Sequence, residues 1–163
     1  MSENRIITSQ WTRISQSPGE TADAAAELAP LFAPAGLVVL SGDLGSGKTT
    51  LTQHLLRVWG YTGAVKSPTF DLVHVYNAEG LTVYHVDLYR MHRGQSLEVL
   101  DLPAPEDPST VIIAEWGDAL TAVYPEYFYL SLSVCGEQCR AFDLGAQGQG
   151  CQSRLDLWRD HTI

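Results

Sequence analysis

The sequence predicts an α/β fold with a mixed central sheet, antiparallel hairpins and flanking helices. The first observation behind this prediction is a short apolar run at residues 37–41, which leads into a glycine-rich loop and then an amphipathic segment. The other two are pairs of alternating segments at 70–89 and at 127–144, each with a turn between its halves. Helix and strand signals therefore alternate along the chain, as in a layered α/β domain.

The chain length indicates one domain, because 163 residues can bury a hydrophobic core without disulfides or metals. We assign residues 1–145 to this domain. Residues 146–163 are assigned to a C-terminal tail, since no pattern is visible there before 155–158. The Gly- and Gln-rich composition of the tail would suit a flexible segment.

The composition is typical of a folded globular protein, with 45% hydrophobic and 18% charged residues. No stretch approaches the roughly eighteen apolar residues that a membrane helix needs. The first residues lead into no signal-like apolar core, so we expect a cytoplasmic protein with no membrane partner. In that reducing compartment Cys135, Cys139 and Cys151 are expected to be free thiols, with a disulfide or a zinc site as the alternative.

The charge balance argues against direct binding of nucleic acid. The chain carries 10 basic and 19 acidic residues, a formal net charge of −9, and only two of the basic residues are lysines. Neutralisation of nucleic-acid phosphates requires clustered lysine and arginine side chains. Any role on nucleic acid is therefore expected to run through a partner protein.

The first helix is predicted to begin after Ser17. Ser17 can cap the helix, Pro18 suits its first position, and Glu20 lies three residues after the cap, as in a capping box. The following alanine-rich run favours helix. Pro30 is expected to end or bend it.

The remaining elements are predicted from hydrophobic spacing and turn residues. Apolar residues three and four apart predict a second helix over 48–59, and Gly60 suits its C-terminal end. Residues 70–77 and 81–89 are predicted to form a hairpin around the turn at 77–80. The other predicted elements are an acidic, proline-rich surface loop at 97–110, a buried strand at 111–116, and a second hairpin formed by 127–134 and 138–144.

The loop after the first buried strand has the sequence of a phosphate-binding loop. Residues 42–49 match G-x-x-x-x-G-K-[ST] at every fixed position, between a predicted strand and a predicted helix. Glycines allow the backbone N–H groups to turn inward around an anion, and the helix N-terminus adds partial positive charge. Lys48 can reach the β- and γ-phosphates, and the Thr49 hydroxyl can bind Mg²⁺. The candidate nucleotide-binding residues here are Asp43, Leu44, Gly45, Ser46, Gly47, Lys48, Thr49 and Thr50.

Two acidic residues at predicted strand ends are candidates for the rest of the site. Glu115 follows four apolar residues and is the candidate magnesium ligand, with a solvated strand-end residue as the alternative. Asp87 ends the first hairpin and alternates onto the same face as His85, where it could bind magnesium through water or position the attacking water. The alternative for Asp87 is an ion pair with Arg90 or Arg93.

The stretch "KSPTF" at 66–70 is a candidate switch loop. Ser67 and Thr69 offer hydroxyls, and in many P-loop hydrolases such a hydroxyl meets magnesium only when the γ-phosphate is present. The alternative is an ordinary turn. The sequence has no N-K-x-D segment to recognise guanine, so we expect ATP as the nucleotide.

Four stretches together resemble one family. "GDLGSGKTT", "VKSPTF", "VYHVDLYR" and "AEWG", in this order and spacing, are similar to TsaE, the bacterial ATPase required for the threonylcarbamoyladenosine modification of tRNA. The resemblance covers about residues 17–116. It implies a small P-loop NTPase-like fold in the cytoplasm, ATP and Mg²⁺ as cofactors, and association with the TsaB–TsaD heterodimer. Contact with tRNA would then be indirect, through that complex.

The resemblance also implies roles for individual residues. Thr49 and Glu115 would bind Mg²⁺, Lys48 would clamp the phosphates, and Thr69 would belong to the switch loop. Asp87 would be needed for hydrolysis. Three further residues are implied near the nucleotide: Trp116 beside the site, Thr21 near the adenine, and Arg140 as the candidate arginine from the last strand pair.

Two other functions are compatible with a phosphate-binding loop. A small-molecule kinase would need an acceptor pocket and an arginine-rich lid, and the eight arginines of this chain are scattered. A nucleotide sensor would bind ATP and change shape without turnover. The expected function is a regulatory ATPase whose hydrolysis is slow alone and is stimulated by the partner complex.

Overall fold

The computed structural model describes residues 8–34, 36–91 and 94–162. Within them, seven strands form one mixed sheet in the order β1-β7-β6-β2-β5-β4-β3. The strands are β1 Trp11–Ser15, β2 Gly36–Ser41, β3 Val73–Ala78, β4 Leu81–Asp87, β5 Thr110–Glu115, β6 Tyr127–Val134 and β7 Arg140–Gln147. The helices are α1 Pro18–Phe32, α2 Lys48–Val58 and α3 Gln149–Thr162. The predicted α/β class with a mixed sheet is confirmed.

The centre of the sheet is parallel and its margins are antiparallel. β2 lies between β5 and β6 and is parallel to both, and β4 is parallel to β5 on its other side. Both predicted hairpins are present, β3 with β4 and β6 with β7. Because β2, β4 and β5 are parallel, their carboxyl ends meet at one edge of the sheet, where α/β proteins bind ligands.

The two faces of the sheet are covered differently. The larger hydrophobic cluster joins buried residues of all three α-helices to one face, including Val38, Val111 and Val83. The other face packs mainly on the connecting segments, which include the short 3₁₀ turns Leu97–Leu100 and Asp118–Ala122. Each strand therefore alternates between a helix-covered face and a loop-covered face.

Helix α1 begins as predicted and continues past Pro30. The Ser17 hydroxyl accepts from the Glu20 N–H at 3.2 Å, while the Glu20 carboxylate accepts from the Gln16 N–H at 2.6 Å. Pro30 does not end the helix, which continues to Phe32. The cost of Pro30 is one helical hydrogen bond, because proline has no N–H, and only two residues of the helix follow it. Helix α2 ends at Val58 with Trp59 as its cap, followed by Gly60 at φ 96°.

Two elements lie outside the sequence predictions. β1 precedes α1 as an edge strand paired with β7. The predicted boundary at residue 145 falls inside β7, and most of residues 146–163 form α3. Helix α3 packs on the domain because Leu155 and Cys151 are buried and the Trp158 indole donates to the Glu27 carbonyl at 2.9 Å.

The prediction of free thiols is wrong for two of the three cysteines. Cys135 and Cys139 form a disulfide across the β6–β7 turn, with their Cα atoms 5.0 Å apart. The hairpin brings the two thiols together, and sequence spacing alone did not indicate this. Cys151 is free, and burial raises the pKa of its thiol to about 11. Among the described residues no helix is long and apolar enough to cross a membrane.

Candidate nucleotide-binding site

The glycine-rich loop joins β2 to α2 and requires glycine at particular positions. Gly42 has φ 152° and Gly47 has φ 105°, both in the left-handed half of conformational space. A Cβ atom at Gly42 would lie 2.5 Å from the Leu132 carbonyl oxygen and 2.6 Å from Ser46 Oγ. The loop can therefore wind tightly against β6 only because this position has no side chain.

The Lys48 ammonium group points back into the loop. It donates to the carbonyl oxygens of Gly42 at 2.5 Å and Asp43 at 3.0 Å, and the side chain is only 4% exposed. Its Nζ also lies 4.8 Å from the ring centroid of Trp116. An ammonium group carries three N–H donors, so these two carbonyls leave one for a further acceptor.

The N-terminus of α2 adds a second source of positive potential. Its N-cap, Gly47, has no side chain to accept from the first helical N–H groups. The buried Ser46 hydroxyl has no hydrogen-bond partner among the described residues. Inside the loop, the Ser46 N–H donates to the Asp43 carbonyl at 3.1 Å. The buried lysine, the helix N-terminus without a side-chain cap and the buried Ser46 hydroxyl make this loop a cradle for an anion.

Thr49 and Glu115, the two candidate magnesium ligands, contact each other beside the cradle. The Thr49 hydroxyl lies 3.3 and 3.2 Å from the two Glu115 carboxylate oxygens. Glu115 is 4% exposed, so it is not the solvated strand-end residue of the alternative interpretation. The Glu115 carboxylate also contacts a second side chain, since His85 Nε2 lies 2.5 Å from Glu115 Oε2.

Asp87 contacts the candidate switch loop directly. Its Oδ2 accepts from the Ser67 hydroxyl at 3.0 Å and the Thr69 hydroxyl at 3.3 Å, and its Oδ1 accepts from the Tyr89 N–H at 2.9 Å. Asp87 is also the Cα partner of Glu115 across the parallel β4–β5 pair. The two candidate carboxylates and the "SPTF" hydroxyls therefore lie at one edge of the sheet.

The alternative of an ion pair for Asp87 receives no support from Arg90. The Arg90 guanidinium lies over the Phe70 ring, 4.5 Å from its centroid. Arg93 lies outside the described residues, so that half of the alternative is untested. Asp87 is 5% exposed and is satisfied by hydroxyl and amide donors.

Trp116 lies at the mouth of the loop. Its backbone has φ 56°, and its side chain is 37% exposed, between the Lys48 ammonium and the Tyr89 ring at 5.0 Å. A positive φ is strained for a bulky residue, so the surrounding structure holds the indole in this place. Trp116 thus borders the cradle, and its place beside a nucleotide stays a prediction.

Arg140 reaches the loop backbone. Its Nε donates to the Ser46 carbonyl at 3.0 Å, and its Nη1 donates to the Cys139 carbonyl at 2.9 Å. Thr21 lies further away: its hydroxyl is 2.8 Å from that of Ser15, the Cα partner of Arg140. Arg140 therefore contacts the cradle directly, whereas Thr21 contacts Ser15 of the neighbouring strand β1.

Sequence reasoning missed the contact of His85 with Glu115 and gave Ser67 less weight than Thr69. Alternation had placed His85 on the face of Asp87, but its contact with Glu115 joins positions on neighbouring strands. The other loop candidates, Asp43, Leu44, Gly45 and Thr50, are exposed around the rim of the cradle.

A sheet whose parallel strands end at a glycine loop, a buried lysine and two buried carboxylates defines a P-loop NTPase-like fold. The particular family follows from comparison with known proteins. The family model described as "Threonylcarbamoyl adenosine biosynthesis protein TsaE" matches residues 15–142. The chain belongs to the TsaE family.

Individual relatives agree with this assignment. The chain is 36% identical to the tRNA threonylcarbamoyladenosine biosynthesis protein TsaE of Bacillus subtilis over 85% of its length and 86% of the relative. It is 41% identical to the protein of that name from Haemophilus influenzae over 55% of its length, and the match spans 57% of the relative. The crystal structure of Bacillus subtilis YdiB superposes with a TM-score of 0.75 at 25% identity, covering 98% of this chain and 100% of that one.

Removal of the Cys135–Cys139 disulfide is expected to loosen the glycine-rich loop at 42–49, because Arg140 connects the disulfide-closed turn to that loop. The double substitution Cys135→Ser and Cys139→Ser should lower the free energy of unfolding by about 2 kcal/mol from loop-closure entropy alone. Because Arg140 bridges the Cys139 and Ser46 carbonyls, binding of a fluorescent ATP analogue should also weaken several-fold. Urea unfolding and fluorescence titration measure the two effects. Unchanged nucleotide binding in the folded variant would contradict the link through Arg140.

Proposed function

We propose that this chain is a Mg²⁺-dependent ATPase that acts in the threonylcarbamoyladenosine modification of tRNA together with the TsaB–TsaD heterodimer. The observation that carries the proposal is a pair of buried carboxylates on neighbouring strands, one in contact with the P-loop threonine and the other with the candidate switch loop. Glu115 contacts Thr49 of the P-loop, and Asp87 contacts Ser67 and Thr69. A protein that only bound a phosphate would not need this second, acidic half of the site.

The residues present fit a magnesium ion. The donors are hydroxyl and carboxylate oxygens, the ligands that Mg²⁺ prefers together with water and phosphate. Glu115 and Asp87 are buried, and neither forms an ion pair with a lysine or arginine in the described part of the chain. No group of three His, Cys, Asp or Glu side chains suited to a metal occurs there either, so phosphate and water must complete the coordination. A bound Mg²⁺ would offset negative charge on the β- and γ-phosphates.

The roles of the protein groups follow from their positions. Lys48 would exchange its bonds with the Gly42 and Asp43 carbonyls for bonds with phosphate oxygens. Thr49 and Glu115 would hold the metal. Asp87 would orient the attacking water, and the Ser67 and Thr69 hydroxyls would leave Asp87 to meet the nucleotide when the γ-phosphate is present.

Hydrolysis by the chain alone is expected to be slow. The arginine that contacts the loop, Arg140, donates from Nε and Nη1 to backbone carbonyls, and Arg90 lies over Phe70. Arginine groups aimed at the transferring phosphoryl group are worth about 10³- to 10⁵-fold in rate where P-loop enzymes use them. Stimulation by a partner complex is therefore part of the proposal.

The net charge of −9 also favours a protein partner over direct contact with tRNA. A chain with this charge is repelled by bare RNA at long range. Docking on a complex that itself holds tRNA avoids that repulsion. The relatives named for tRNA threonylcarbamoyladenosine biosynthesis support the choice of this modification.

The proposal is tested by measuring ATP hydrolysis by the chain alone and with the TsaB–TsaD pair, with modified tRNA measured in the same reactions. We expect the pair to raise the hydrolysis rate by at least about 10-fold, and modification beyond one turnover to require ATP. A non-hydrolysable ATP analogue should limit modification to about one turnover per complex. A hydrolysis rate that is the same with and without the TsaB–TsaD pair would contradict the proposed partnership. Absence of hydrolysis in every mixture would contradict the proposed ATPase activity.

A further inference from the structure

His85 is a fully buried polar side chain with a specific partner. It lies on β4, two residues before Asp87, and is 0% exposed. Its Nε2 lies 2.5 Å from Glu115 Oε2, closer than in an ordinary N–H···O hydrogen bond, so the two side chains are in direct contact. The same carboxylate faces the Thr49 hydroxyl. Glu115 is thus held between a side chain of β4 and the start of α2.

The hydrogen-bond network indicates which ring nitrogen carries the proton. A carboxylate can only accept, so the contact with Glu115 is made by an N–H at Nε2. Nδ1 is buried and has no hydrogen-bond partner among the described residues. A ring placed only to fill the core would not leave a buried nitrogen unsatisfied, because an apolar side chain of similar size would avoid that cost. The contact with Glu115 is therefore the reason for a histidine at this position.

We propose that His85 is a positioning residue that fixes the Glu115 carboxylate for Mg²⁺. A free carboxylate can rotate about its terminal bond, and its two oxygens would then sample several orientations. The N–H of His85 anchors Oε2 from within the sheet and directs the carboxylate toward Thr49. Side chains that hold a metal ligand in this way typically change metal affinity or activity by about 10- to 100-fold when they are removed.

This inference rests on the proposed magnesium site and adds a residue that no sequence motif assigned to it. It requires only that the ring donates one hydrogen bond and that the bond sets an orientation. The neighbouring strand supplies the rigidity, because Asp87 and Glu115 are Cα partners in the parallel β4–β5 pair. His85 and Glu115 are therefore fixed relative to each other by backbone hydrogen bonds as well as by their side chains.

Two neutral amide substitutions test the proposal. His85→Gln keeps an N–H donor near the position of Nε2, whereas His85→Asn is too short to reach Glu115. Metal affinity is measured by titrating Mn²⁺ into the protein with bound ATP and following the electron paramagnetic resonance of free Mn²⁺. We expect His85→Asn to weaken Mn²⁺ binding by about 10- to 100-fold and His85→Gln to restore it to within a few-fold of the wild type. ATP affinity in the presence of EDTA should be unchanged in both variants.

The outcomes separate this proposal from the one on which it rests. His54→Leu, on α2, serves as a histidine control that should not affect Mn²⁺ binding. If wild-type protein with ATP binds no Mn²⁺, the magnesium site itself is wrong. If the wild type binds Mn²⁺ and His85→Asn binds it equally well, only the positioning role is wrong. Equal loss of metal binding in the Asn and Gln variants, or an equal loss of ATP affinity in EDTA, would show that His85 serves the core alone.

Discussion

Replacement of Lys48 by alanine is expected to lower ATP affinity by roughly 10- to 150-fold and to abolish measurable hydrolysis. Hydrogen bonds that involve a charged group each contribute about 1.5–3 kcal/mol, which corresponds to that range of affinity. Lys48 is 4% exposed and its ammonium group bonds to the loop carbonyls, so water cannot fully replace its charge there. The rate should fall further than the affinity because negative charge shifts toward the leaving oxygen between the β- and γ-phosphates as that bond breaks.

The experiment compares Lys48→Ala with Arg57→Ala, which removes a positive charge from the exposed last turn of the same helix. Calorimetric titration with ATP gives the affinity, and phosphate release gives the rate. The substitution also removes the bonds from Lys48 to the Gly42 and Asp43 carbonyls, so the folded state is checked by thermal unfolding. A folded Lys48→Ala protein that binds ATP with wild-type affinity would contradict the phosphate-clamp role.

Local signals were sufficient to predict the elements that form the site. The match at 42–49 lies between β2 and α2, and alternation along β4 correctly separated Val83 and His85 from Val86 on the other face. Both signals depend only on short stretches of chain, because backbone geometry fixes which neighbouring residues share a face. Because β4 and β5 are parallel neighbours, the residues that end them, Asp87 and Glu115, lie side by side.

Contacts between distant segments could not be predicted in the same way. Helix α3 carries few strong helix signals, and it is held by burial of Leu155 and by the Arg154 side chain, which donates to the Leu31 and Pro34 carbonyls. Strand β1 exists because it pairs with β7 more than a hundred residues away. Such tertiary contacts override weak local preferences. The same limit applies to the His85–Glu115 contact, which joins two strands 30 residues apart in sequence.

Replacement of Asp87 by asparagine is expected to reduce the rate of ATP hydrolysis by about 10²- to 10⁴-fold while ATP affinity changes by less than a few-fold. Positioned groups that accept or direct a proton contribute factors of this size. Asn is nearly isosteric, so it can still accept from the Tyr89 N–H, but its NH₂ group cannot accept from the Ser67 and Thr69 hydroxyls as Oδ2 does. The amide also removes the negative charge that would attract a water proton.

This substitution distinguishes an ATPase from a nucleotide sensor, because a sensor has no turnover to lose. Single-turnover hydrolysis with the TsaB–TsaD pair gives the rate, and a fluorescent ATP analogue gives the affinity. Asp143→Asn, at an exposed position on β7, makes the same chemical change away from the site and should leave both values unchanged. If Asp87→Asn weakens ATP binding as much as hydrolysis, then Asp87 shapes the nucleotide site and does not act on the water. If the rate of hydrolysis is unchanged, the attacking water is oriented by another group, and the Ser67 and Thr69 hydroxyls become the first candidates because they lie within 3.3 Å of the same carboxylate.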